Sequence, residues 1–84
     1  MKTKTNKQNK PKWFHGAWYK TGDIVTNPFS GEMYELTGPE LSMYDFIIGS
    51  QIAGIVTDKQ RDDFHKALRW FSKNNIEAYM ALLD

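Results

Sequence analysis

The chain has 84 residues, 40% of them hydrophobic and 14% aromatic, with no cysteine and a net charge of +1. It is too apolar for an intrinsically disordered chain, too short to bury more than about 60% of its unfolded surface, and has no disulfide framework to compensate. The polar N-terminus lacks the apolar region of a secretory signal and no stretch approaches bilayer length, so the expectation is one small cytoplasmic domain with no membrane contact.

The net charge hides a division. Lys2, Lys4, Lys7, Lys10, Lys12 and Lys20 face no acid in the first 20 residues, whereas the remaining 64 hold five bases against all ten acids. A basic arm therefore precedes an acidic body. The opening MKTKTNKQNKPK has no apolar residue after Met1 and no periodicity. Its side chains cannot bury enough to offset ordering, which predicts a flexible, disordered arm over residues 1–12 and a single folded domain over 13–84.

Aromatic and β-branched residues then dominate up to Leu36, broken at Thr21-Gly22-Asp23 and at Asn27 to Gly31. This predicts two or three short antiparallel strands near 17–20, 23–26 and 32–36. In the last of these, Met33 and Glu35 alternate with Tyr34 and Leu36. The break NPFSG has the spacing of a zinc knuckle, with Asn27 and Ser30 where thiolates would stand. Asn and Ser oxygens bind zinc poorly and no second ligand pair follows, so the stretch reads as a turn: Asn27 bonds to backbone two residues on, Pro28 fixes φ, and Gly31 supplies a positive φ on exit. Phe29 is expected to fold back on the sheet, with contact to a partner as the alternative.

Three helices are predicted beyond the sheet. Thr37 and Glu40 form a capping box with Pro39 in the first turn, followed by Leu41, Tyr44, Ile48 and Ile52 on one stripe that Phe46 and Ile47 widen. Gly49 and Gly54 weaken and end this helix. Thr57 and Gln60 form a second capping box ahead of Phe64, Ala67, Leu68 and Phe71, with Lys59, Asp62, Asp63, Lys66 and Arg69 on the solvent side. Asn74 and Asn75 separate a last helix carrying Ile76, Tyr79, Met80 and Leu83, one Asn in a left-handed end position and the other as a cap. Trp70 and Phe71 point about 100° apart, which requires either broad burial of their helix or one exposed ring. The fold class is thus α+β: a two- or three-stranded antiparallel sheet on three helices, with a basic N-terminal arm.

Chemistry is sparse in the sequence. No serine sits in a nucleophile elbow, no phosphate loop is present, and His65 with Asp62 and Asp63 fits a solvated polar face, so no catalytic residue, metal site or cofactor is assigned. The arm is the strongest binding signal: Lys2, Lys4, Lys7, Lys10 and Lys12 lead into Trp13, Trp18 and Tyr19, pairing charge for phosphates with rings that stack on bases. Against this, a lysine-rich leader also confers solubility, and Trp13 and Trp18 also suit anchoring the sheet to the helices. The helix pair around Gly54 suggests helix-turn-helix, but Asp58, Asp62 and Asp63 would repel DNA.

The run GDIVTNPFSGEMYELTGPELSMYDFIIG, with the later ALRWFSKNNIEAYMALLD, resembles a group of short uncharacterised proteins of marine T4-like cyanophages and viral ocean metagenomes. The likeness spans about residues 22–84 and excludes the basic leader. It implies a phage protein acting in a bacterial cytoplasm and carries no activity to any residue. The expectation is a non-catalytic accessory protein that binds a protein partner or itself, with Phe29 among the contact residues; the alternative is single-stranded nucleic-acid binding through the basic aromatic arm.

Overall fold

A computed structural model describes residues 8–84. Lys2, Lys4 and Lys7 lie outside them. In chain order the elements are β1 (Asp23–Thr26), β2 (Met33–Leu36), α1 (Gly38–Ala53), α2 (Asp58–Asn74) and α3 (Ile76–Leu82). The fold is α+β, with one antiparallel hairpin and three helices.

Asp23 pairs with Leu36 and Val25 with Tyr34, so strand alternation turns Val25, Tyr34 and Leu36 inward and leaves Ile24, Met33 and Glu35 on the outer face. The hairpin is closed by NPFSG acting as a turn. Asn27 Oδ1 accepts from the Phe29 and Ser30 amides at 2.8 and 3.3 Å, and Gly31 takes φ 81°. The same Asn27 side chain donates through Nδ2 to the Ala81 carbonyl at 2.9 Å, tying the turn to α3.

The expected strand at 17–20 does not form. Its backbone crosses the start of α1 instead: the Tyr19 amide donates to Ser42 Oγ at 2.7 Å, and Ser42 Oγ donates to the Gly38 carbonyl at 2.7 Å. The approach is so close that a Cβ on Gly38 would meet the Tyr19 carbonyl. This crossing also explains why the polar residue Ser42 is buried.

Both capping boxes are present, at Thr37 with Glu40 and at Thr57 with Gln60. The stripe of α1 is centred differently from the sequence expectation. Met43 and Ile47 are fully buried and Tyr44 nearly so, whereas Ile52 is 81% exposed. Asn75 ends α2 and caps α3, accepting from the Ala78 amide at 3.1 Å; its φ of −157° is extended, so no left-handed Asn is used. On α3 the buried positions are Ala78 and Leu82, while Ile76 and Met80 face outward. Small Ala67 on α2 and Ala78 on α3, both without exposed surface, let the helices approach closely around Phe71 and Leu36. No helix among the described residues is long and apolar enough to cross a membrane.

Candidate functional site: a basic aromatic groove

The arm is packed earlier than residue 13. Gln8 already bonds to the α1 cap, donating through Nε2 to Glu40 Oε2 at 2.7 Å and accepting from Thr37 Oγ1 at 2.6 Å. The Phe14 amide donates to the Pro11 carbonyl at 3.1 Å, a turn that brings Trp13 and Phe14 onto the body. Phe14 is the hub of an aromatic cluster. Its ring lies 5.4 Å from both Trp18 and Phe46, and Trp13 packs edge-on against Phe14 at 5.8 Å. Trp18 continues the row to Trp70 at 5.8 Å. Trp70 is half-buried and Phe71 fully buried, so of the two arrangements their angle allows, α2 takes broad burial.

The half-buried Trp13 and Trp70 border a groove of about 580 Å³, whose wall along α2 is Lys66, Arg69 and Lys73 with Ser72. Steps of three and four residues place the three cations along one side of the helix over about 10 Å. Both ion pairs among the described residues lie in the first half of α2, Lys59 with Asp63 at 2.9 Å and Arg61 with Asp58 at 3.0 Å. Lys66, Arg69 and Lys73 take no part in them. Charge thus changes sign along the helix: acids and their paired bases come first and cations outside those pairs follow, the last of them, Lys73, in the final turn where the helix dipole favours it. Lys10 and Lys12, both exposed, lie on the segment that enters Trp13.

The arrangement separates residues that the sequence grouped. Trp13 lines the groove; Trp18 stands behind it, against Trp70 and Phe14. Tyr19 lies on the α1 side, its hydroxyl donating to Asp45 at 2.9 Å, a bond that raises the phenol's pKa. Phe29 does not fold back on the sheet. It is 97% exposed at the hairpin tip because Asn27 and Gly31 close the turn beneath it, and it borders a separate cleft of about 280 Å³ with Ile48 and Leu83. Sequence reasoning missed Lys66, Arg69, Trp70 and Lys73 as one site. The available signal was the run Lys66-x-x-Arg69-Trp70-x-x-Lys73, which keeps its cations and one ring on the same side of a helix.

Comparison of the chain with protein-family models, curated proteins and solved structures finds no match.

Proposed function

We propose that the protein is a non-catalytic binding module whose ligand is nucleic acid, held in the groove between Trp13, Trp70 and the cations of α2. The reading is carried by one observation: three cations that take no part in the ion pairs among the described residues share a groove with two indole rings. Cations on one wall suit phosphates, and flat apolar rings suit bases. The acids that argued against a nucleic-acid role lie at the other end of α2, and two of the three are paired. Lys10 and Lys12 extend the basic surface toward the leader.

The test is binding of labelled oligonucleotides to the full chain across a salt series. Affinity should fall steeply with salt, and Lys66→Gln, Arg69→Gln and Lys73→Gln should each flatten the log–log slope by about 0.7–0.9 for every phosphate contact removed. Salt-independent binding, or none at low salt, would sink the reading.

A protein partner or a second copy of this chain is the other reading, favoured by Phe29 at 97%, Ile52 at 81% and Val56 at 80% exposure. Concentration-dependent sizing tests self-association, and Phe29→Ser should abolish it if the hairpin tip is the contact. The resemblance to cyanophage proteins motivates a bacterial cytoplasm as the working compartment and an accessory role in phage infection.

A further inference from the structure

We propose that the groove selects single strands, taking an unpaired base against the indoles of Trp13 and Trp70 while Arg69 and Lys73 hold the adjoining phosphates. This rests on the nucleic-acid reading above and names the form of the ligand.

The groove of about 580 Å³ is open to solvent along its length and has room for a nucleobase with its sugar. Its composition is layered, with cations along α2 and rings from two separate segments. A duplex offers phosphates outside and keeps the flat faces of its bases stacked within, so it would engage the cations and leave the rings unused. A single strand presents both groups at once. The rings are also held in place beforehand. Trp13 is fixed by Phe14 at 5.8 Å and Phe46 at 6.3 Å, and Trp70 by Trp18 at 5.8 Å, so little side-chain freedom remains to be lost when a base stacks. Arg69 adds a planar guanidinium suited to phosphate and to stacking, which a lysine there would not supply.

The experiment compares a mixed-sequence single strand with a hairpin duplex of equal phosphate number, using the full chain at matched salt and reading both anisotropy and intrinsic tryptophan emission. The expected result is tighter binding of the single strand, by roughly 5- to 160-fold for each stacked base, with quenching by the single strand alone. Trp70→Leu should remove most of that preference while Lys73→Gln weakens both ligands together. Equal, salt-sensitive binding of both ligands without quenching would overturn single-strand selection and leave the nucleic-acid reading standing. A preference that survives in a folded Trp70→Leu protein would overturn the role of that ring. Failure of both ligands to bind at low salt would remove the reading and the inference together. If Trp70→Leu melts below the assay temperature, the unmodified protein's single-strand preference and quenching decide the matter.

Discussion

Gln8 and Glu40 stand 32 residues apart and meet at 2.7 Å, where the glutamine amide covers one oxygen of a carboxylate that is only 2% exposed. The other oxygen accepts from the Thr37 amide at 3.0 Å, so Glu40 both closes the α1 capping box and fixes the root of the N-terminal segment. A side chain usually satisfied by solvent at a helix start is here enclosed by the chain's own leader.

Gln8→Ala should leave one Glu40 oxygen buried without a donor, which costs about 1–3 kcal/mol. Thermal denaturation checks the loss. An unchanged midpoint would show that solvent replaces the amide without penalty.

Asn27 joins the hairpin turn to α3 through both ends of its amide. Replacing it by Asp keeps the acceptor and removes the donor to Ala81, whereas Ala removes both. Chemical denaturation should rank the wild type above Asp and Asp above Ala, with Asn27→Ala lower by about 1–3 kcal/mol. Equal stability of the wild type and Asn27→Asp would mean that the link to Ala81 contributes nothing, and equal stability of the two variants that the turn acceptor contributes nothing.

Phe14 is 1% exposed at the centre of the aromatic cluster, and Phe29 is 97% exposed at the turn. Phe14→Ala should lose about 3–5 kcal/mol and leave a domain of this size largely unfolded. Phe29→Ser should stay within about 0.5 kcal/mol of the parent. Circular dichroism melts of both proteins check the contrast; a large loss from Phe29→Ser would contradict its exposure.

Burial pushes the Tyr44 hydroxyl above its ordinary 10.0, and the Asp45 charge adds to the shift. A raised acid holds its proton more tightly in the folded state. Its stabilisation is therefore complete below pH 10.0 and is lost as pH rises through the folded value. Melting followed across that alkaline range should show a decline that Tyr44→Phe reduces. An identical decline in both proteins would assign it to other groups.

The local signals were legible in the sequence and the long-range ones were not. Thr37 with Glu40 and Thr57 with Gln60 marked both helix starts because capping is settled within four residues. The strand expected at 17–20 failed because its amide finds Ser42, 23 residues on, and no periodicity announces such a partner. The same cause displaced the α1 stripe: residues that read as its polar side are covered by the N-terminal segment, and Ile52 reads as core yet lies beyond it. Lys66 and Arg69 read as an ordinary solvated face because Trp13, which turns that face into a groove, comes from the far end of the chain.

Asn75 has a mechanical consequence. It ends one helix and begins the next with no residue between them, so there is no spacer to absorb a displacement. α3 rests on β2, where the Tyr34 hydroxyl donates to Glu77 at 3.0 Å, and the same end of the helix is held by Asn75, two positions from Lys73. The first turn of α3 therefore cannot leave the hairpin without shifting the last turn of α2, which carries Lys73.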